Sequence, residues 1–343
     1  MPADVTTCAW PEGLEQGDYT IISPYPLPAG SPKKVNIGDG FIMDSCIKLL
    51  GSRPSAVFTS RSPLSEADIE QINAGRCVIA AGANTLKDHF ELTTGFTRAT
   101  LDMIKVPVIL FGVGHYGVAA ATRGLSPESR SLFAALLERF PRISVRCDKS
   151  WNYLTESLPD RTGNVLMTSC PVVYPVDGID GGFARRPHYG QLVVTLTERT
   201  NLKAQLPILA AARKLFPAER SIYALHQDYG NEQLCDFARG QGYEVFRSQD
   251  YRDYIQLYRD TDVHFGNRVH AHLKCLSMGK VSFLTPFDLR QEYFAHSLDF
   301  PLVASLPDPR IDDFDFNRVA QRRAAARPSL DDFVDSVRAV LLH

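Results

Sequence analysis

The chain has 343 residues, which is long for one domain and typical of two domains of roughly 150–170 residues each. Of its residues, 44% are hydrophobic, an ordinary value for a globular protein. Its formal net charge of −2 argues against bulk nucleic-acid binding and against a strongly basic membrane-surface protein. No apolar run approaches the ~20 residues that a transmembrane segment needs. The N-terminus also lacks the basic and apolar regions of a signal peptide, so we expect a cytoplasmic protein.

The seven cysteines include no C-x-x-C pair. A disulfide framework or a cysteine zinc site is therefore not expected, and most of these side chains should be small buried apolar groups.

The first 34 residues are rich in proline and turn residues, and we expect an irregular segment with one short strand near Tyr19–Ile22. Apolar runs that favour strands then recur along the chain, at residues 77–81, 106–112, 143–145, 165–168, 191–197, 221–226, 261–265 and 280–285. These runs are almost continuously apolar rather than alternating, which predicts parallel sheets buried on both faces.

Segments with helical spacing separate these runs. One of them begins with Ser126 as the predicted N-cap and Pro127 in the first helical position. Further helices are predicted at 201–216, 231–240 and 250–262, and as a capped amphipathic helix at 328–343. Alternating strands and helices predict doubly wound α/β architecture.

The turn-rich stretch 176–190 interrupts this alternation and is the predicted boundary. We expect two Rossmann-like domains, 1–178 and 188–343, that meet at a cleft, with the C-terminal helix packing back toward the N-terminal domain. Ligands of such sheets bind beyond the carboxyl ends of the strands.

The stretch "VNIGDGFIMDSCIKLLG" contains Asn36, Gly38 and Asp39 in a predicted tight loop before a helix. Glycine lets a backbone approach a ligand closely, and the free N–H groups of a helix start attract anions. Asp39 is alternatively the cap of that helix.

The stretch "FGVGHYG" follows a strong strand pattern, and its glycines at 112, 114 and 117 have the spacing G-x-G-x-x-G. No acidic ribose-binding residue follows about twenty positions later, so a dinucleotide site is not favoured. His115 is a candidate for the cleft.

In "ISVRCDKSWNYL", Arg146 directly follows a predicted strand and Ser150 lies near the start of a helix. We expect Arg146 to face the cleft; the alternative is an ion pair between the domains.

The stretch "TDVHFGNRVHAHLKCLSMG" predicts a strand followed by a helix that ends at Gly279. Asn267, Arg268 and His270 then lie at the helix N-terminus, where the helix dipole favours an anion. His270 and His272 are two residues apart and do not share a helix face, so no metal site is expected.

Arginines 318, 322, 323 and 327 form a basic cluster. A solvated helix face is the simpler interpretation, and peripheral contact with a lipid-linked acceptor or a membrane surface is the alternative.

Three of these segments, "NIGDG", "SVR" with Ser150, and "GNRVHAHLKCLSMGKVSFL", resemble motifs of the polysaccharide pyruvyl transferase family. The resemblance implies a GT-B-like pair of Rossmann-type domains and transfer of the pyruvyl group of phosphoenolpyruvate to a sugar, usually as a ketal. Arg268 and His270 take the positions of the family's functional Arg and His. Asn36, Asp39 and Arg146 take positions in the other two motifs.

The chain departs from the family in several places. A triple-glycine loop becomes "AAGANTLKD", Cys147 replaces the acid after the mid-chain arginine, and "GVGHYG" replaces a glycine-proline loop. Arg290 stands for a late lysine. Because most departures fall in the N-terminal domain, the expected acceptor side, the resemblance supports the donor chemistry better than a polysaccharide acceptor.

The residues fit that chemistry independently. An arginine fork binds a phosphate or a carboxylate, and a histidine can donate the proton that the enol methylene needs. Arg268 is therefore the predicted donor ligand and His270 the general acid, with no cofactor. His115, His226 and Asp39 remain alternatives for deprotonating the acceptor hydroxyl.

Two other functions remain open at this point. A GT-B glycosyltransferase with a nucleotide sugar shares the fold, and Asp288 or Glu292 would bind its ribose. The altered "AAGAN" loop and Cys147 would instead suit a sugar- or anion-binding homologue without activity.

Overall fold

The computed structural model describes residues 13–25, 35–116, 124–174, 186–197, 202–227, 232–304, 311–312 and 314–342. The chain divides into two compact units. Unit 1 comprises Met1–Ser31, Ile42–Pro171 and Ala324–His343, and unit 2 comprises Pro32–Phe41 and Val172–Arg323.

Each unit contains one parallel sheet. The sheet of unit 1 has the order β2-β1-β3-β4-β5-β6, and that of unit 2 has the order β11-β10-β7-β8-β9. The strands are β1 (Tyr19–Ser23), β2 (Ala56–Thr59), β3 (Cys77–Ala81), β4 (Val108–Val113), β5 (Ile143–Val145), β6 (Val165–Met167), β7 (Tyr189–Thr195), β8 (Ala218–Ala224), β9 (Glu244–Phe246), β10 (Val263–Gly266) and β11 (Val281–Leu284).

Helices connect the strands. They are α1 (Ile37–Leu50), α2 (Glu66–Asn73), α3 (Arg98–Met103), α4 (Pro127–Arg139), α5 (Asp148–Ser157), α6 (Leu202–Leu215), α7 (Glu232–Gly240), α8 (Tyr251–Arg259), α9 (Val269–Ser277), α10 (Leu289–Leu298) and α11 (Phe316–Leu342). Within the described residues, none of them combines the length and the apolar character that crossing a membrane requires.

The apolar runs form the strands that were predicted. Every residue of β3, β4 and β10 is buried, as expected for parallel strands that are covered on both faces. On one face of β10, His264 hydrogen-bonds with the Ser282 hydroxyl, which also hydrogen-bonds with His272 of helix α9. On the other face, Phe265 packs against Phe216. Both faces of β10 are therefore covered. The sequence did not predict β2 and β9, which are only four and three residues long.

The predicted start of α4 is confirmed: the Ser126 hydroxyl accepts a hydrogen bond from the Ser129 N–H at 3.2 Å, and Pro127 opens the helix. The six described cysteines are buried and not paired in disulfides. Cys8 and Gly117 lie outside the described residues.

Two element boundaries were predicted incorrectly. Helix α11 begins at Phe316 rather than at Pro328, which lies inside the helix. The run "VAQRRAAAR" before it consists mainly of strong helix formers, which continue the helix through the proline. Helix α1 begins at Ile37, so Gly38, Asp39 and Gly40 form its first turn rather than a loop that precedes it.

The two units also differ from the predicted domains 1–178 and 188–343. Residues 32–41 belong to unit 2, where the Ile37 N–H donates to the His226 carbonyl at 3.1 Å. The end of α11 belongs to unit 1, where Phe333 packs against Phe111 and Phe140. A contiguous split of the sequence misses both segments because each one packs against residues far away along the chain.

Candidate active site

The carboxyl edge of the unit 2 sheet holds most of the predicted residues. Strand β10 ends at Gly266, and Asn267 and Arg268 lead directly into α9. A Cβ on Gly266 would lie 1.9 Å from the Thr195 carbonyl oxygen, so the sharp exit from the strand requires glycine.

Asn267 fixes this turn and is 3% exposed. Its backbone N–H donates to the Thr195 carbonyl at 3.0 Å, and its side-chain oxygen accepts from the Thr197 hydroxyl at 3.0 Å. The Gln291 amide donates to the Asn267 carbonyl at 2.8 Å. Asn267 thus joins β7, β10 and α10 and supports the residue that follows it.

Arg268 is partly exposed at the N-cap position of α9. Its Nε donates to the Leu196 carbonyl at 3.0 Å, and its Nη1 donates to the Gln227 side-chain oxygen at 3.1 Å. The first turn of α9 contains no acidic residue. The arginine charge and the positive end of the helix dipole therefore act together at this edge.

The first turn of α1 packs against His270. A Cβ on Gly38 would lie 2.9 Å from His270 Nδ1, and a Cβ on Gly40 would lie 2.7 Å from the Tyr251 Cβ. The Phe294 ring lies on another side of His270, with the ring centroids 6.4 Å apart. These glycines were expected to let a backbone approach a ligand; in the structure they let α1 approach the helices of its own unit.

Asn36 and Asp39 flank that contact. The Asp39 N–H donates to the Asn36 carbonyl at 3.0 Å, and Asp39 is a buried acid in the first turn of α1. An acidic side chain there is stabilised by the helix dipole. Within unit 2 the structure thus joins the "NIGDG" segment to His270, which is more than 220 positions away in the sequence and two residues after Arg268.

His226 is 1% exposed, and its Nε2 hydrogen-bonds with the Tyr258 hydroxyl. Phe41 and Tyr254 pack edge-on against its ring. Burial, and secondarily the charge of Arg268, lower the pKa of His226 well below its ordinary value. The ring is neutral and enclosed, which argues against direct contact with substrate and against a role as the acceptor base.

A second buried histidine network anchors α9. His264 hydrogen-bonds through Nε2 with the Thr195 hydroxyl at 2.8 Å and through Nδ1 with the Ser282 hydroxyl at 2.7 Å. His272 Nδ1 bonds with the same Ser282 hydroxyl at 2.7 Å. Burial lowers the pKa of His264 to about 3 and that of His272 well below its ordinary value. As predicted, His272 and His270 have different surroundings.

Arg290 lies at the start of α10, where its Nε donates to Asp288 at 2.9 Å. Asp288 also caps α10 by accepting from the Arg290 N–H at 2.9 Å. Because the Asp288 carboxylate already accepts from both the backbone and the side chain of Arg290, it is poorly suited to bind a nucleotide ribose.

The corresponding edge of unit 1 holds Arg146, which directly follows β5 and is 2% exposed. Its Nη2 donates to the Asn84 side-chain oxygen. A Cβ on Gly114 would lie 1.9 Å from Arg146 Nε, so the guanidinium occupies the space that this glycine leaves.

Nearby in unit 1, the His115 N–H donates to the Ser150 hydroxyl at 2.9 Å, and its buried ring packs against Tyr153 with centroids 4.8 Å apart. Unit 1 therefore brings together Asn84 with Arg146, and His115 with Ser150.

The altered "AAGAN" loop follows β3 in the same unit. Gly82 has a φ of +63° and Ala83 a φ of +85°. Ala83 thus adopts the left-handed conformation that favours glycine.

The basic cluster on α11 is exposed and accompanied by acids. Arg318 and Arg322 have exposed fractions of 64% and 58%, and each lies 3.9–4.0 Å from Asp299. Arg327 pairs with Asp331 at 2.7 Å. This arrangement fits the simpler interpretation of a solvated helix face.

Sequence reasoning missed Gln227, Thr197 and Asn84. Each one lies just beyond the carboxyl end of a parallel strand (β8, β7 and β3). Inspecting the polar residues that follow every predicted strand would have found them, because ligand sites of such sheets lie there.

Two solved structures share this architecture. The co-structure of S. aureus MnaA with UDP has a TM-score of 0.52 at 12% identity, covering 90% of this chain and 91% of that chain. The putative UDP-N-acetylglucosamine 2-epimerase from Listeria monocytogenes has a TM-score of 0.50 at 11% identity, covering 94% and 91%. At such identities the likeness concerns the fold alone, and it confirms the predicted α/β class with two Rossmann-like, GT-B-like units.

A search of curated proteins found no match. The sequence model of the polysaccharide pyruvyl transferase family matches residues 36–285. This range begins at Asn36 and includes Arg146, Arg268 and His270, the residues that carry the resemblance. The chain therefore belongs to the polysaccharide pyruvyl transferase family and is a transferase of that type.

Proposed function

We propose that the protein transfers the pyruvyl group of phosphoenolpyruvate to a sugar or saccharide acceptor and forms a pyruvate ketal. The observation that carries the proposal is the carboxyl edge of the unit 2 sheet. There Arg268 lies at the N-terminus of α9, and the first turn of this helix contains no acidic residue. A donor with a phosphate and a carboxylate needs such a cationic, N–H-rich surface.

In the proposed reaction Arg268 binds the phosphate or the carboxylate of the donor. His270 donates a proton to the methylene carbon, which becomes the methyl group, and the adjacent carbon becomes cation-like. One acceptor hydroxyl adds to that carbon, and a second displaces inorganic phosphate. One hydroxyl proton restores His270 and the other leaves with the phosphate, so the atoms and charges balance.

The proposal assigns the donor to unit 2 and the acceptor to unit 1, as the family resemblance implies. Buried Arg146, its partner Asn84, and the His115–Ser150 pair are the unit 1 residues that would support acceptor binding. Asp39 remains the candidate for taking the second hydroxyl proton and passing it to the departing phosphate, since the His226 and His115 rings are each 1% exposed and Asp39 is 9% exposed. The cytoplasmic location predicted from the sequence belongs to the same proposal.

The test is phosphate release from phosphoenolpyruvate in the presence of a panel of sugars, with the product examined for a ketal by mass spectrometry and NMR. Thermal-shift titration accompanies it: phosphoenolpyruvate should raise the melting temperature, because a ligand that binds only the folded state stabilises it. Stabilisation by UDP or GDP, with no effect of phosphoenolpyruvate, would favour a glycosyltransferase. Binding of sugars without phosphate release would favour a homologue without activity.

A further inference from the structure

A chain of buried hydrogen bonds links strands β7, β10 and β11 of unit 2 to helix α9. This histidine network consists of four side chains with no exposed surface, which are Thr195, His264, Ser282 and His272. The Thr195 hydroxyl bonds with His264 Nε2 at 2.8 Å, and the Ser282 hydroxyl bonds with Nδ1 of both histidines at 2.7 Å. Burying polar groups costs free energy unless their hydrogen bonds are made, and a satisfied network fixes the geometry of the elements that it joins.

Both ends of the histidine network are bonded to the turn that carries Arg268. At one end, the Thr195 carbonyl accepts from the Asn267 N–H at 3.0 Å. At the other end, the His272 N–H donates to the Arg268 carbonyl at 3.1 Å. Side-chain and backbone hydrogen bonds therefore close a ring that includes both residues of the turn, Asn267 and Arg268.

The protons of this network have one favourable order. Burial lowers the pKa of both histidines, so each neutral ring carries a single N–H. Among the described residues, His272 Nε2 has no hydrogen-bond partner, and an N–H at that atom would be a buried donor left unsatisfied. The proton of His272 therefore lies on Nδ1 and is donated to Ser282. The one proton of the Ser282 hydroxyl then goes to His264 Nδ1, and His264 Nε2–H donates to Thr195.

We propose that His264, Ser282 and His272 are positioning residues, which with Thr195 set the place of the Asn267–Arg268 turn for donor binding. The proposal rests on the proposed function, in which Arg268 binds phosphoenolpyruvate. The turn has little room to adjust by itself, since a Cβ on Gly266 would already lie 1.9 Å from the Thr195 carbonyl oxygen. A change in the spacing of β7 and α9 would therefore move Arg268, and a misplacement of about 1 Å is enough to impair a binding group.

The first test compares Thr195→Val with Thr195→Ser in the full-length chain. Valine keeps the shape of threonine and loses the hydroxyl, whereas serine keeps the hydroxyl and loses a methyl group. Titration calorimetry with phosphoenolpyruvate, well below the melting temperature, should show a Kd about three- to tenfold higher for Thr195→Val, the scale of one buried hydrogen bond. Thr195→Ser should bind like the wild type. A residue that only packs in the sheet gives the opposite order, because serine leaves a cavity and valine does not.

The second test removes the centre of the network with Ser282→Ala. Ser144 of unit 1 is the matched control, since it too has no exposed surface and its hydroxyl also has two partners, the Thr168 hydroxyl at 2.6 Å and the Gly112 N–H at 2.9 Å. Ser282→Ala and Ser144→Ala should both lower the melting temperature, but only Ser282→Ala should raise the Kd, again about three- to tenfold. If neither changes the Kd, the network only stabilises the fold and the inference is wrong. If Ser282→Ala fails to fold, the Thr195 pair carries the test.

The proton order has a readout that does not depend on activity. Ring-nitrogen chemical shifts, measured by NMR at pH 7, distinguish the two neutral tautomers of each histidine. We expect Nε2–H for His264 and Nδ1–H for His272, and the opposite tautomer in either ring would overturn the proposed order.

Arg268→Lys separates the inference from the proposed function. If Arg268→Lys weakens phosphoenolpyruvate binding while Thr195→Val and Ser282→Ala leave it unchanged, the inference is wrong and the proposed function stands. If the wild type does not bind phosphoenolpyruvate, or if Arg268→Lys binds it equally well, Arg268 is not the donor ligand and both are wrong.

Discussion

Unit 1 and unit 2 each place an arginine between a parallel strand and a helix, but they use it in different ways. Arg146 is enclosed against Gly114 and Asn84, and the helix that follows it starts with Asp148. Arg268 is partly exposed, and its helix has no acidic residue in the first turn. The same strand–arginine–helix pattern therefore gives one buried junction with an acidic residue in the first helical turn and one partly exposed junction without an acidic residue there.

That difference favours the start of α9 over the start of α5 as an anion site. An acidic residue in the first turn compensates the helix dipole, so the start of α5 is a poorer anion site than the start of α9. Burial of Arg146 also means that its loss should affect stability first.

The largest effect is expected from His270→Gln. If His270 is the general acid beside Arg268, turnover should fall by roughly 10²–10⁴-fold while donor affinity stays almost unchanged. Steady-state kinetics with phosphoenolpyruvate and a melting curve of each variant measure this. A stable variant that binds the donor and retains wild-type turnover would remove His270 from the mechanism. A combined loss of stability and affinity would indicate that it only packs against Gly38.

Acid should destabilise the core of unit 2 through its buried histidines. The pKa of His264 is about 3 in the fold and ~6.5 when unfolded, so the unfolded chain binds more protons between these values. The contribution is complete above pH ~6.5 and should decrease by about 2 kcal/mol for such a histidine by pH 5.

Buried Cys46 and Cys77 of unit 1 add no pH dependence in this range, because burial raises the pKa of each thiol and the thiols stay neutral in both the folded and the unfolded chain. Hydrogen exchange of the two units between pH 7 and pH 5 measures the difference. Unit 2 should lose protection first, and His264→Asn should weaken its pH dependence. Equal losses in both units would contradict the expectation.

Arg268→Lys and Arg146→Lys compare the two junctions directly. Lysine keeps the charge and loses the bidentate fork, so Arg268→Lys should weaken phosphoenolpyruvate binding by about 1.5–3 kcal/mol with little change in melting temperature. Arg146→Lys should lower the melting temperature, since the buried hydrogen bond to Asn84 is lost. Titration calorimetry and thermal melts of both variants measure this. The reverse result would mean that the partly exposed junction has been assigned to the wrong unit.

Gly38→Ala tests the contact between α1 and α9. Glycine to alanine inside a helix usually stabilises by roughly 0.5–1 kcal/mol. Here the new Cβ would lie 2.9 Å from His270 Nδ1, so we expect a loss of about 1–3 kcal/mol, as for other overpacked sites. Urea unfolding measures it. Gly240→Ala is the control, because its Cβ would meet nothing within 4 Å; equal effects of the two changes would show that the contact is unimportant.

The sequence predicted the parallel strands, the strand–helix junction of Arg268 and the family, because continuous apolar runs and short motifs are local features. It did not predict that Gly38 and Gly40 contact His270 and Tyr251, since that packing depends on residues more than 200 positions apart. The burial of His226 and the partnership of Gln227 with Arg268 were missed for the same reason. Side-chain surroundings at the end of a strand depend on neighbouring strands, which sequence spacing does not specify.

The smallest effect is expected from Ala83→Gly, in the loop of unit 1 that departs from the family. Ala83 has a φ of +85°, a conformation that costs a residue with a Cβ about 1–2 kcal/mol. Glycine removes this strain but loses about 0.4–1 kcal/mol through its greater freedom in the unfolded chain. The net result should be a stabilisation of about 0.5 kcal/mol, measured by urea unfolding. The neighbouring Gly82→Ala is the opposite control: its Cβ would lie 2.3 Å from Ile42 Cγ2 at a φ of +63°, so it should destabilise clearly. If Ala83→Gly destabilises instead, the alanine methyl group makes a packing contact that outweighs its backbone strain.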